Sequence, residues 1–176
     1  MAQALGATAI VLGAPRNRLR GALSEEAAVA SAAPALRRIA DAYVAHGCVL
    51  CVEANPARYG GDFVRSLAEA RRLVEVVAHP GMALHLDAGA IAINDEGDAD
   101  IVAAAQTARH VHISEVDLAP VGAGSVDHRR IGRLLREARY NGWVSIEMKP
   151  VITALLAEAV HRAIDVAVEA YGPFPP

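Results

Sequence analysis

Five short runs read as β-strands from their apolar or alternating side chains: Thr8–Leu12, Val49–Glu53, Ala83–Asp87, His110–Ser114 and Trp143–Glu147. They recur every roughly 27 to 41 residues, the length of a βα unit. The stretches between them have helical periodicity. Ser24 caps a predicted helix with Glu25 and Glu26 in its first turn; it runs towards His46, is kinked by Pro34 and stops at Gly47. Asp62 is expected to open the next, with Phe63, Leu67, Ala70, Val74 and Val77 on one face. A shorter helix is expected from Asp100 to Ala108. Asp127 caps another, with Ile131, Leu134, Leu135 and Ala138 inward, before a turn at Asn141-Gly142. The last runs from about Ile152 to Tyr171. Its apolar stripe of Leu155, Leu156, Ala159, Val160, Ala163, Ile164 and Val168 is expected to face the core.

Side chains alternate faces along a strand. Leu50 and Val52 therefore oppose Cys51 and Glu53, and Leu84 and Leu86 oppose His85 and Asp87. Val111 and Ile113 oppose His110, His112 and Ser114, while Val144 and Ile146 oppose Ser145 and Glu147. One face is apolar; the other is polar and ends in an acid or a histidine near the C-terminal tip. A doubly wound sheet is covered by helices on both faces and wants apolar residues on both. A barrel has helices outside and gathers ionisable groups inside, at its C-terminal mouth. The fold class expected is α/β: a partial (β/α)₈ TIM barrel of about five βα units with parallel strands, forming a single domain over residues 1–176.

In such a barrel Glu53, Asp87, His112 and Glu147 converge from four consecutive strands. Three carboxylates so close repel one another unless a cation lies among them. The mixed oxygen and nitrogen donors suit one divalent ion: Mn²⁺, Mg²⁺, Co²⁺ or Zn²⁺. His85 and His110 lie deeper on the same face, as pocket walls or support for the ligands. Asn55 follows Glu53 and can line the mouth. Arg16 follows the first strand with Arg18 and Arg20, and an arginine there can reach an anionic group on a substrate.

Length, charge and cysteines narrow the picture. A whole barrel takes about 250 residues, and this chain has 176. Met1 to Gly6 reads as the tail of a helix, so the chain is expected to correspond to the C-terminal five-eighths of a barrel. Its two edge strands, Thr8–Leu12 and Trp143–Glu147, are then candidates for pairing in a homodimer. The chain is 53% hydrophobic and 21% charged with a net charge of −3, which gives no footprint for nucleic acid or an anionic membrane. No leader or membrane-spanning run is evident, and a cytoplasmic location is the expectation. Cys48 and Cys51 form a C-x-x-C string in or beside a strand, where the two thiols face opposite ways and suit neither zinc nor redox chemistry. His128-Arg129-Arg130 and Arg133 read as a solvated helix face.

Four strings carry a family resemblance: Cys51-Val52-Glu53-Ala54-Asn55; Leu84-His85-Leu86-Asp87; His110-Val111-His112-Ile113-Ser114-Glu115; and Gly142-Trp143-Val144-Ser145-Ile146-Glu147-Met148. In this order and at βα spacing, together with the glycine-rich loop that ends at Asp127, the chain resembles the sugar phosphate isomerase/epimerase superfamily of xylose-isomerase-like TIM barrels. The resemblance covers about Leu5 to Tyr171. It implies a divalent metal, Mn²⁺ foremost, held by Glu53, Asp87, His112 and Glu147. It also implies Glu53 and Glu147 as the acid/base pair that moves a substrate proton through a metal-stabilised enediolate. Glu115 is kept from the neighbouring motif and joins the substrate-binding candidates. Ketose 3-epimerases carry a histidine three residues after the aspartate and an arginine six after the ligating histidine; here those positions are Ala90 and Leu118. The implied activity is that of a metal-dependent isomerase or epimerase on a sugar, sugar phosphate or small hydroxy-carbonyl compound. A dehydratase or lyase using the same site, and an inactive fragment that depends on a partner, are the alternatives.

Overall fold

The structure is a computed structural model and describes residues 2–152 and 155–172. Its chain clusters into two units, one through His85 and the other from Leu86 onward, so the boundary falls within a strand.

The first unit contains β1 (Ala9–Leu12), α1 (Glu25–Val44), β2 (Val49–Glu53), α2 (Leu67–Val77) and most of β3 (Met82–Asp87). β1 pairs in parallel with β2, Ala9 opposite Val49 and Leu12 opposite Val52. β2 pairs in parallel with β3, Leu50 opposite Met82 and Glu53 opposite His85. Ser24 caps α1 by accepting from the Ala27 amide at 3.2 Å, and the helix continues past Pro34. Val29, Ala33, Leu36 and Ala40 of α1 are buried, as are Leu67, Ala70, Leu73 and Val77 of α2. Arg37 on α1 donates to the Val77 and Val76 carbonyls at 2.7 and 2.6 Å, satisfying the end of α2 where Ala78 turns left-handed.

α2 starts later than the pattern predicts. Asp62 accepts from the Arg20 amide at 2.6 Å instead of capping a helix, and Val64 has a φ of +61° that no helix tolerates. Ser66 is the cap. Its hydroxyl accepts from the Glu69 amide at 3.2 Å, while the Glu69 carboxylate reaches back to the Arg65 amide at 2.8 Å. Ser66→Ala is expected to cost about 1 kcal/mol in a urea melt.

The second unit holds the end of β3, then α3 (Ala88–Asn94), α4 (Asp98–Ala105), β4 (Ala108–Ser114), α5 (His128–Glu137), β5 (Trp143–Glu147) and α6 (Leu156–Val166). A π-helical turn, Ala167–Tyr171, follows. β4 and β5 pair in parallel, with His110 opposite Trp143, His112 opposite Ser145 and Ser114 opposite Glu147. α3 is absent from the sequence reading, because its cap is Asp87, the residue that ends β3: the Ala90 amide donates to Asp87 at 2.7 Å. Arg130 of α5 donates to Asp98 and to the Glu96 carbonyl, each at 2.7 Å, and so ties α5 to the start of α4. Gly132 lets α5 lie directly on the π-helical turn, where a Cβ would strike the Ala170 carbonyl oxygen.

The terminal helix corrects the expectation of an inward stripe. Ala163 is buried, but Leu155, Leu156, Val160, Ile164 and Val168 are exposed. Among the described residues β5 pairs only with β4 and is the last strand in the sheet order, so no further strand lies beyond it to meet the stripe. The start predicted at Ile152 moves to Leu156, and residues 153–154 lie outside the described residues.

Candidate metal centre

In the first unit the site builds on the C-terminal ends of β1 and β2. Glu53 is the last residue of β2, and Gly13 just after β1 leaves room for it: a Cβ at Gly13 would lie 2.6 Å from Glu53 Oε2. Asn55, itself buried, donates to Glu53 Oε2 at 3.1 Å. His85 is fully buried on β3, with Nε2 3.9 Å from Glu53 Oε1. Arg18 donates from Nη1 to the Glu53 carbonyl at 2.8 Å. Burial holds the Arg18 guanidinium below its ordinary pKa, and the Glu53 carboxylate works against that. Arg16, in the 3₁₀ turn Pro15–Asn17, is exposed. Of the loop's three arginines it is therefore Arg18 whose guanidinium engages Glu53. Periodicity does not apply in a loop, so nothing in the sequence singled it out.

In the second unit three side chains meet. His112 Nδ1 lies 3.1 Å from Glu147 Oε2 and 3.9 Å from Asp87 Oδ2. Asp87 is only 8% exposed, and burial raises its pKa against the opposing pull of hydrogen bonds from Ser114 and the Ala90 amide and of the nearby His112. Glu147 is shifted the other way, chiefly by its hydrogen bond with His112, with burial opposing. The contrast follows from setting: Glu147 is half exposed and paired directly, whereas Asp87 has given up its water. A desolvated carboxylate grouped with a second carboxylate and an imidazole is a donor set that a divalent cation would stabilise. The Glu53 carboxylate in the first unit is of the same donor type.

His110 sits beside this group. Its Nε2 is 3.0 Å from Ser145 Oγ, and its ring lies edge-on to that of His112 with centroids 5.0 Å apart. Burial first, then the neighbouring His112, lowers the His110 pKa, with Glu147 opposing. A neutral imidazole at this place keeps a ring nitrogen able to accept a hydrogen bond.

Glu115 is 2% exposed and faces a loop. It accepts from the amides of Gly122 and Val126 at 3.2 and 3.1 Å and from His128 Nε2 at 3.2 Å. Gly124 passes so close that a Cβ there would strike the Glu115 carboxylate. His128 is correspondingly buried, which corrects its reading as part of a solvated face, and its Nδ1 accepts from the Tyr171 hydroxyl at 2.8 Å. Burial lowers the His128 pKa despite Glu115, and raises that of Tyr171. A histidine held below its unfolded pKa of about 6.5 contributes fully above that pH and loses its contribution as pH falls towards the folded value. Melting temperatures between pH 7.5 and 5 are therefore expected to fall more steeply for the wild type than for His128→Gln.

No curated protein matches the chain significantly. Solved structures do. D-allulose 3-epimerase from Methylomonas sp. is 22% identical over 96% of this chain and 65% of that one, with a TM-score of 0.77. The IOLI protein, solved with a zinc atom, is 19% identical over 99% of this chain and 66% of that one, with a TM-score of 0.78. AP endonuclease, family 2, from Brucella melitensis is 26% identical over 92% of this chain and 64% of that one, with a TM-score of 0.73. The chain thus spans about two thirds of the length of these structures. Their likeness shows the fold, an α/β partial (β/α)₈ barrel whose five strands are parallel, as predicted. The model of the family described as Xylose isomerase-like TIM barrel matches residues 1–167, and the chain belongs to that family.

Proposed function

We propose that the chain carries the metal centre of a divalent-metal-dependent isomerase or epimerase acting on a sugar or a small hydroxy-carbonyl compound. Glu53, Asp87, His112 and Glu147 are the proposed ligands, and Mn²⁺ is the proposed ion. The observation that carries the reading is the grouping of the desolvated Asp87 with His112 and Glu147 at 3.9 and 3.1 Å. The D-allulose 3-epimerase among the similar solved structures supports the reaction class, and the zinc in the IOLI structure supports a metal.

Such an ion, when bound, polarises a substrate carbonyl and hydroxyl and so acidifies the C–H beside them. The chain's own residues then move the proton. Glu147, held ionised by His112, can accept it, and Glu53 is the proposed second carboxylate of the acid/base pair. Asn55 and Arg18 hold Glu53 in place through its carboxylate and its carbonyl. His85 and His110 are proposed as pocket walls that orient substrate hydroxyls, with Arg16 at the mouth.

Ala90 is buried in the first turn of α3, and Leu118 stands where ketose 3-epimerases carry an arginine. The substrate panel should therefore extend past ketohexoses to ketopentoses, sugar phosphates and hydroxy acids. The test is deuterium wash-in. Metal-stripped protein reloaded with Mn²⁺ is incubated with the panel in D₂O and followed by NMR. The expected result is exchange of one carbon-bound proton next to a carbonyl. Absence of exchange across the panel by protein that has taken up the metal would overturn the reaction; absence of metal uptake would overturn the site.

A further inference from the structure

Asp87 is asked to do two things at once: cap α3 and offer an oxygen to the centre. The geometry points to a residue that makes both compatible. We propose that Ser114 is the positioning residue of Asp87, fixing the Oδ2 oxygen for the cation; the inference rests on the metal reading above.

Ser114 ends β4 and is fully buried. Its hydroxyl oxygen accepts from the Gly89 amide at 2.9 Å, and its O–H donates to Asp87 Oδ2 at 2.6 Å. A serine has one proton to give. With the Gly89 amide occupying the oxygen's acceptor side, that proton is directed at Asp87. The other carboxylate oxygen, Oδ1, accepts from the Ala90 amide at 2.7 Å. Both oxygens are thus held, and the carboxylate plane cannot rotate without breaking a buried hydrogen bond. An sp² oxygen has two lone pairs. Ser114 takes one on Oδ2 and leaves the other on the oxygen that lies 3.9 Å from His112 Nδ1. The hydroxyl can reach Asp87 only because Gly89 allows the close approach: a Cβ there would lie 2.7 Å from the Glu115 carbonyl oxygen. Partners that orient a ligating carboxylate in this way change metal affinity without touching the metal.

The test compares the metal-free full chain of wild type, Ser114→Ala, Ser114→Cys and Ile113→Val. Ile113 is the buried neighbour of Ser114 on the opposite face of β4, so its truncation loosens the same strand without touching Asp87. Mn²⁺ affinity is measured by competition with a chromophoric chelator, Co²⁺ binding by its visible d–d spectrum, and folding by thermal melts of the metal-free forms. Ser114→Ala is expected to weaken Mn²⁺ binding about 10- to 100-fold and to alter the Co²⁺ spectrum. Ile113→Val is expected to lower the melting temperature while leaving affinity and spectrum at wild-type values. Ser114→Cys keeps the size but is a weak donor, and is expected to shift affinity in the same direction as alanine; it decides the matter if the alanine form does not fold. Wild-type affinity in both Ser114 variants would overturn the positioning role while leaving the metal reading intact. A wild type that takes up neither ion would overturn the metal reading itself.

Discussion

His112→Ala is expected to reduce divalent-metal affinity by more than about 100-fold while leaving the metal-free chain folded. His112 is the only nitrogen donor among the four proposed ligands, and it stands within 3.1 Å of one carboxylate and 3.9 Å of another. Removing it leaves the Asp87 and Glu147 carboxylates without the imidazole whose charge draws both pKa values down. Asp87, already raised by burial, then moves further up and competes less well for a cation. Elemental analysis after dialysis against Mn²⁺, beside a thermal melt of the metal-free form, checks both halves of the expectation. Glu147→Gln tests the chemistry once the protein is saturated with Mn²⁺, because Glu147 is also a proposed ligand. It keeps the shape and removes the charge, so deuterium wash-in should fall about 10²- to 10⁴-fold, the range of a lost acid/base group. A glutamine form that still exchanged at the wild-type rate would remove Glu147 from the proton-transfer role.

Gly132→Ala is the substitution expected to harm folding most, at about 3 kcal/mol, the upper end for overpacking. The atoms that an added methyl meets are the carbonyl oxygen and carbon of Ala170, with the Tyr171 Cα behind them, and all are backbone. A flexible side chain could swing aside; these atoms cannot. The same carbonyl accepts from Arg136 Nη1 at 2.9 Å, so moving it loses a hydrogen bond as well. Displacement of Ala170 also drags Tyr171 from His128, which loosens the Glu115 loop. Gly97→Ala is the control: its Cβ would meet only the Asp100 carboxylate at 3.4 Å, and the loss expected is that of a poorer N-cap for α4, below about 1 kcal/mol. Urea melts followed by circular dichroism distinguish the two.

The strands were legible because a period of two is a strong signal once each run is bounded by turn residues. All five appear within a residue or two of their predicted ends. The same period put Glu53, Asp87, His112 and Glu147 at or near strand ends, where the structure has them. Helix starts were less legible, for chemical reasons. Asp62 and Ser66 are both competent caps four residues apart, and only the backbone at Val64 decides between them. α3 was hidden because a short helix opening with Ala-Gly-Ala-Ile-Ala-Ile has no polar face to give it a period. His128 was misread because it is the first of a basic run, although as the first residue of α5 it points down the helix axis end towards Glu115 rather than out with Arg129. The supports of the site lay beyond reach for another reason. Ser114 to Asp87 and Arg18 to Glu53 are separated by 27 and 35 residues, and no local pattern encodes such pairings.

The placement of the cysteines and the tryptophan gives the first unit an intrinsic reporter of its opening and makes the tryptophan a poor one for the second. Cys48 and Cys51 are both buried in the first unit, and the sequence has no other thiol. Alkylation of the native protein by a thiol reagent therefore requires that unit to open, and at reagent concentrations where closing outpaces the reaction its rate against the unfolded rate measures an opening free energy. The single tryptophan, Trp143, is in the second unit and 74% exposed, so its emission is already that of a wetted indole and will change little on unfolding. A denaturation curve taken from fluorescence alone would understate the transition, whereas trapping the thiols follows residues through His85 without any introduced label.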